Sequence, residues 1–395
     1  MRRTVCFPCP ACGHPELDVF FEEQGIPTNS CLLLDTLDEA RTFPTGDMAL
    51  GFCDECGFLA NTAFQEAEYS SRYEETQGFS ALFVEWGRNL ARRWVEKYDL
   101  QGRSVLEIGC GKGEFLTWMV EAGAGKGAGI DPGVHPERIE TDVADRLTWI
   151  ADFYSEKYEH LAADAVVCRH TLEHIAPVRE FMSMVRRAIG DRLDTIVLFE
   201  LPDVKRVLEE VAFWDVYHEH CSYFSLGSLA RLFRRTGFEV LHLELDYDDQ
   251  YLLIEARPSA VVPAVGGPLP VENDLELLRR GVEKYHTEVG ALRESWRGRL
   301  AGLRQRGGKA VIWGAGSKGV SFLTNLGLRD EIEYAVDINP FKTGKFMAGT
   351  GHEIVAPEFL RQYRPDLVVA MNPIYLAEIR AKLDELGLTP ELIGA

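Results

Sequence analysis

The sequence has no apolar run approaching the roughly 18 residues needed to cross a bilayer, and no excess of positive charge. Its 42 basic residues face 62 acidic ones, a formal net charge of −20. Such a surface repels phosphate backbones and anionic lipid, which argues against nucleic-acid and membrane partners. A disulfide framework is missing too, because nine cysteines is an odd number. The first residues, Met1-Arg2-Arg3-Thr4-Val5-Cys6, run into Pro and Cys rather than an apolar segment, so a cytoplasmic setting is expected instead of secretion. What is present is an ordinary globular composition, 46% hydrophobic and 26% charged over 395 residues. That length suits two or three domains.

Four cysteines form two matched knuckles, Cys9-Pro-Ala-Cys12 and Cys53-Asp-Glu-Cys56, each followed by glycine (Gly13 and Gly57). A C-x-x-C knuckle presents two thiolates to one tetrahedral ion, and the glycine lets the backbone turn beneath the sulfurs. Two knuckles supply four ligands and predict a closed, structural Zn²⁺ site of Cys9, Cys12, Cys53 and Cys56. A redox role would suit one pair but not two. A small β-rich insertion must fill the space between them. Cys6 is a rival ligand; Cys31, Cys110, Cys168 and Cys221 are expected to be unligated.

Ser104-Val-Leu-Glu107-Ile-Gly109-Cys-Gly111-Lys-Gly113 reads as a strand, a tight turn and the start of a helix. Its glycines alternate (G-x-G-x-G), unlike the G-x-G-x-x-G of dinucleotide folds, and an acid, Glu107, precedes them. This is the usual loop for S-adenosylmethionine. A second strand ends at Asp131, placed to take the two ribose hydroxyls. A third ends near Asp152 and Phe153, where a carboxylate or an aromatic could hold adenine. The fourth strand, Asp164 to His170, brings Arg169 and His170 to the cofactor and is followed by His174. With the fifth strand from Thr195, this alternation predicts a doubly wound parallel sheet with its crevice at the carboxyl ends of the strands.

Beyond it, Tyr217-His218-Glu219-His220 and Tyr223 concentrate acid–base groups. The spacing is not the H-E-x-x-H of a zinc helix, and a proton-abstraction site opposite a methyl donor is the better reading. A Pro/Gly-rich stretch, Pro263 to Pro270, marks a linker. Leu278, Val282, Tyr285, Val289, Leu292, Trp296, Leu300 and Leu303 then recur at three- and four-residue steps, predicting one long amphipathic helix. Gly314-Ala-Gly316-Ser-Lys318-Gly319 is a true G-x-G-x-x-G after a strand, and Asp337 ends the next strand. Taken alone this spells NAD, hence an oxidoreductase. The remaining chain is about half of a dinucleotide domain, so a mononucleotide or phosphate ligand near Lys318 and Lys342 fits better, with a mere structural brace as the alternative. A zinc-ribbon adaptor for nucleic acid is disfavoured by the charge.

At this point the chain resembles, over nearly its whole length, the three-domain S-adenosylmethionine-dependent C-methyltransferases of nucleotide-linked deoxysugars in natural-product biosynthesis. Tyr217-His218-Glu219-His220 followed by Tyr223-Phe224-Ser225 is the most specific signature. The resemblance implies a zinc-binding domain (1–75), a class I methyltransferase domain (76–260), a linker and long helix (261–306) and a Rossmann-like substrate domain (307–395). It also implies that His220 removes the proton alpha to a sugar ketone, with Glu219 and Tyr217 supporting it and His174 facing it. A tyrosine near the end of the zinc domain, Tyr73 or Tyr69, would reach the site. His218, Tyr223, Gly314, Gly316, Lys318, Gly319, Asp337 and Lys342 are expected on the substrate. A C-, O- or N-methyltransferase of a non-sugar metabolite is the alternative.

Overall fold

The computed structural model describes residues 2–66, 72–262 and 267–395. Tyr69 and residues 263–266 of the expected linker lie outside them. Three sheets follow one another. The first is antiparallel: β1 (Arg3–Val5), β2 (Leu17–Pro27), β3 (Thr45–Phe52) and β4 (Leu59–Asn61), with the short helix α1 (Leu37–Arg41) between β2 and β3. Of these, β2, α1 and β3 lie between the two knuckles and make the β-rich insertion that their spacing demands. The sheet's fifth strand comes from far along the chain, Ser222–Tyr223, which pairs antiparallel with β4.

The central domain opens with α2 (Ala81–Lys97), started by Ser80, whose hydroxyl accepts from the Phe83 amide at 3.3 Å. Then come β5 (Ser104–Ile108), α3 (Glu114–Glu121), β6 (Lys126–Ile130), β7 (Leu147–Ile150), β8 (Ala165–Arg169), α4 (Val178–Ile189), β9 (Ile196–Pro202), α5 (Val204–Glu210), β10 (the Ser222–Tyr223 strand), α6 (Leu226–Arg235), β11 (Phe238–Asp246) and β12 (Tyr251–Pro258). The sheet order is β11-β12-β9-β8-β5-β6-β7. The five expected strands are parallel, and β11 and β12 add an antiparallel edge. The order in which strands are added reverses between the parallel neighbours β5 and β8, so the loops after these strands frame a crevice.

The 31-residue α7 (Leu275–Gln305) leads to β13 (Ala310–Trp313), α8 (Ser317–Leu326), β14 (Tyr334–Val336), β15 (Glu353–Val355), α9 (Leu360–Tyr363), β16 (Leu367–Ala370), α10 (Leu376–Glu385) and β17 (Glu391–Gly394). This third sheet is wholly parallel, in the order β15-β14-β13-β16-β17. One apolar core joins all three parts. Phe20, Phe21 and Leu50 of the first sheet, Leu208 and Phe213 of the central domain, Tyr285 of α7 and Phe322 of α8 belong to it. All eight apolar positions expected on α7 face this core. A shared core of this kind resists relative sliding of the domains and holds the space between them to one shape. Among the described residues no helix is long and apolar enough to cross a membrane.

Candidate active site

The two knuckles meet as expected. Cys9 Sγ lies 3.7 Å from Cys56 Sγ and Cys12 Sγ 3.6 Å from Cys53 Sγ, and all four sulfurs lie within 4.8 Å of one another. Tetrahedral bonds of about 2.3 Å would set sulfurs about 3.8 Å apart, so the donor set is compatible with zinc. Cys6 is exposed and stands apart from this cluster.

A cavity of about 1060 Å³ runs between the central and terminal domains, and the segment Tyr73–Ser80 forms part of its wall. At one end is the alternating-glycine loop. Gly109 has φ +69, and a Cβ there would sit 1.9 Å from Thr171 Oγ1, so only glycine fits. Asp131 accepts from the amides of Gly111 (3.0 Å) and Gly133 (2.6 Å), and its carboxylate lines the cavity. Burial raises its pKa. Glu107 lies beneath the loop, accepting from the Leu116 amide at 3.1 Å, and burial pushes its carboxyl up to about 8. Asp152 and Phe153 stand at the rim. Asp152 is bonded to Lys157 and Tyr158, which hold it down to about 2, while Phe153 is 57% exposed. The donor set, a glycine-rich loop beside a half-buried carboxylate, suits a ligand bearing ribose hydroxyls and no pyrophosphate.

Arg169 and His170 also reach the cavity, but their polar atoms are committed to the protein. Arg169 donates twice to Glu200 (2.7 and 2.9 Å) and stacks on Phe115. His170 Nε2 stands 2.8 Å from Glu200 and Nδ1 3.4 Å from Glu173. Burial opposes the charge on this imidazole, yet the two carboxylates prevail and raise its pKa to about 9.

The histidine segment forms the middle of the wall. His220 lines the cavity and has no side-chain hydrogen bond among the described residues; its ring packs against Tyr217 (centroids 4.2 Å) and edge-on to His174 (4.7 Å). Burial first, then the nearby His174, His170 and Lys318, hold its imidazole well below the usual range, in the neutral form. His174 donates from Nδ1 to the Glu219 carbonyl at 3.0 Å. Two expectations need correction here. The Glu219 carboxylate does not turn to His220: it accepts from Ser317 Oγ (3.1 Å) and the Ser30 amide (3.4 Å), so it ties the three domains together. His218 does not line the cavity at all. It is fully buried against Phe64 and fills the space left open by Gly46, where a Cβ would fall 2.5 Å from Nε2. The segment is a turn, closed by the His220 amide donating to the Tyr217 carbonyl at 3.2 Å, and the turn sends 218 and 220 to different surroundings before β10 joins the first sheet. Tyr223 does line the cavity, its hydroxyl donating to the Tyr217 carbonyl at 3.2 Å. Tyr73 lines it as well, and its carbonyl accepts from Lys112 Nζ at 2.6 Å.

At the other end, Gly314, Gly316, Lys318, Gly319, Asp337 and Lys342 all line the same cavity. Asp337 accepts from the Ala315 and Asn339 amides (both 2.9 Å) and pairs with Lys342 at 3.2 Å. Lys318 pairs with Asp215 at 2.8 Å, and Arg206 of α5 shares that carboxylate at 2.6 Å. Sequence reasoning missed Arg206, which carried no motif and was brought in by the packing of α5. It also missed the tyrosine wall of Tyr251 and Tyr375, both on the cavity. Gln77 bridges these two hydroxyls (3.1 and 2.7 Å).

The comparisons with known proteins agree with this layout. The "Methyltransferase domain" family matches residues 79–243, and the "C-methyltransferase C-terminal domain" family matches residues 255–388. The C-methyltransferase NovU of Streptomyces niveus is 27% identical over 387 residues, 94% of this chain and 90% of its own length. The ribosomal protein L11 methyltransferase of Aliivibrio salmonicida (strain LFI1238) is 33% identical over 104 residues, 24% of this chain and 33% of the relative. Among solved structures, the N,N-8-amino-8-demethyl-D-riboflavin dimethyltransferase RosA of Streptomyces davawensis overlays 45% of this chain and 56% of its own, at 21% identity and a TM-score of 0.36. With both family matches in sequence along one chain and a C-methyltransferase relative spanning nearly all of it, the protein belongs to the S-adenosylmethionine-dependent C-methyltransferase family.

Proposed function

We propose that the enzyme removes a proton from a carbon alpha to a ketone and methylates that carbon, with His220 as the base. The acceptor in this reading is a nucleotide-linked 4-keto deoxysugar. The observation that carries it is a neutral imidazole, without a hydrogen-bond partner among the described residues, on the wall of a cavity that also holds both glycine loops. S-adenosylmethionine, when bound over Gly109–Gly113 with Asp131 on its ribose, supplies an electrophilic methyl group.

His220 takes the alpha proton and becomes an imidazolium. A base that starts neutral suits this task, because the adjacent ketone has already acidified the carbon. Tyr217, whose phenol is kept protonated by burial, is placed beside His220 to donate to the oxygen that gains charge. The Glu219 carbonyl fixes the His174 tautomer, and the Glu219 carboxylate positions the Ser317 end of the second loop. Lys318, Arg206 and Lys342 place cations where phosphates of the acceptor would lie, each now paired with an aspartate that an anion would displace. Cys9, Cys12, Cys53 and Cys56 would hold a zinc ion in a structural role, the four thiolates leaving its chemistry to the fold rather than to the reaction.

If His220 is the base, His220→Asn should retain methyl-donor affinity by calorimetry while kcat falls by roughly 10²–10⁴-fold. A variant within a few-fold of wild type would remove His220 from the reaction. For the zinc site, elemental analysis should return about one zinc per chain, and Cys9→Ser should cost folding stability before it touches the chemical step. A metal-free preparation that is stable and active would exclude it.

A further inference from the structure

The segment Tyr73–Ser80 on the cavity wall is tied to both the central and the terminal domain. Glu74 accepts from Arg138 (2.8 Å) and from the Asn339 side chain (3.0 Å), and Thr76 donates to Glu114 of α3 at 2.7 Å. Gln77 joins Tyr251 to Tyr375. Between these anchors Glu75 lines the cavity. Its Oε1 stands over the middle glycine of the first loop: a Cβ at Gly111 would fall 3.0 Å from that oxygen. Its Oε2 is buried and accepts no hydrogen bond from a described residue. Lys112 pairs with it at 3.6 Å, too long for a hydrogen bond, and already donates to the Tyr73 and Gly133 carbonyls. The same ammonium also acts on Asp131, so one lysine faces two carboxylates and these three charges do not cancel. Burial, opposed by Lys112 and aided by Asp131, pushes the Glu75 carboxyl up to about 7. A ligand cation placed beside it restores the charged form.

We propose that Glu75 is the counter-ion of the methyl donor, its carboxylate accepting from the donor's α-ammonium group above Gly111. Of the donor's two cationic centres the ammonium is the better match. Its N–H groups can bond a carboxylate oxygen, whereas a sulfonium has no hydrogen to give. Because Glu74, Thr76 and Gln77 already hold the backbone on either side, little freedom is lost when the donor arrives. The inference rests on the donor lying over Gly109–Gly113 and is independent of which group is the base.

Calorimetry of the purified protein with S-adenosylmethionine, S-adenosylhomocysteine and 5′-methylthioadenosine tests this. The second compound keeps the ammonium without the sulfonium charge; the third lacks both but keeps the ribose and the base. Glu75→Gln should weaken the first two by roughly tenfold or more and leave the third within about twofold of wild type. Glu75→Asp keeps the charge but withdraws it by one methylene, and should lose less than Glu75→Gln. Unchanged affinity for the first two compounds overturns the proposal. So does a loss confined to S-adenosylmethionine, which would turn the carboxylate to the sulfonium, or an equal loss for all three, which would make Glu75 a support of the loop. Asp131→Ala tests the placement of the donor separately. If it leaves all three affinities unmoved, the donor is not over this loop; if it weakens them while Glu75→Gln does not, Glu75 alone is excluded.

Discussion

The two glycine loops share one frame and differ in what they offer a ligand. In each, the first glycine's amide bonds back to the next strand: Gly109 to the Ile130 carbonyl and Gly314 to that of Val336, both at 2.8 Å. In each, an aspartate ending that strand accepts two backbone amides, one of the loop and one just beyond itself. The charges around them diverge. Beside Asp131 the nearest lysine, Lys112, is buried and turned away onto the carbonyls of Tyr73 and Gly133. Beside Asp337 stand Lys342 and, along the helix start, Lys318. A loop without free cations fits a positively charged sulfonium donor, and a loop flanked by lysines fits an anion. In the proposed reaction the same backbone device would serve opposite ligands, because side chains, not the fold, set the field.

The largest effect that would separate the loops is steric. Gly109→Ala forces a side chain into a positive-φ position against Thr171 and should cost roughly 2–5 kcal/mol of stability by chemical denaturation, along with methyl-donor binding. Gly316→Ala meets nothing within 4 Å and should change stability by less than about 0.5 kcal/mol. Equal losses would show that the two loops are equally tight. Next in size is a crossed pair of substitutions. Asp131→Ala should weaken donor binding by about 1–3 kcal/mol and leave acceptor binding alone. Lys318→Ala should do the reverse, raising the acceptor KM and reducing its dependence on ionic strength. Loss of donor affinity in the lysine variant would erase the division of labour.

The third effect is a pH dependence under the first loop. Burial, aided by Asp131 and Glu200 and opposed by Arg169 and the Leu116 amide, raises Glu107 to about 8. The folded protein thus keeps a proton that the unfolded chain releases near pH 4.5, so this contribution is complete at low pH and fades as pH rises toward about 8. Glu107→Gln should flatten that decline in melts between pH 5 and pH 8. An unchanged slope would locate the titration elsewhere.

Much of this was readable before any coordinates. Strand–glycine–helix units and the three- to four-residue repeat of α7 are local patterns, and burial of Leu278, Val282, Tyr285 and Leu300 follows from them directly. The cysteine cluster was readable because a tetrahedral ion dictates its own ligand spacing. The fate of the histidine segment was not. Whether His218 or His220 faces the cavity depends on Ser222–Tyr223 pairing with β4, a strand some 160 residues earlier, a non-local pairing with no sequence signature. Glu219 was misread for the same reason: its partners Ser30 and Ser317 come from other domains. Arg206 shares Asp215 with Lys318 only because α5 packs beside the second loop.

The central claim is that His220 is the proton acceptor, and solvent exchange isolates that step from methyl transfer. A nucleotide-linked 4-keto sugar incubated with the enzyme in deuterated water, without methyl donor, should lose its alpha proton in the wild type at a rate that His220→Asn lowers by roughly 10²-fold or more. Exchange that survives in His220→Asn but vanishes when His174 is replaced would contradict the account.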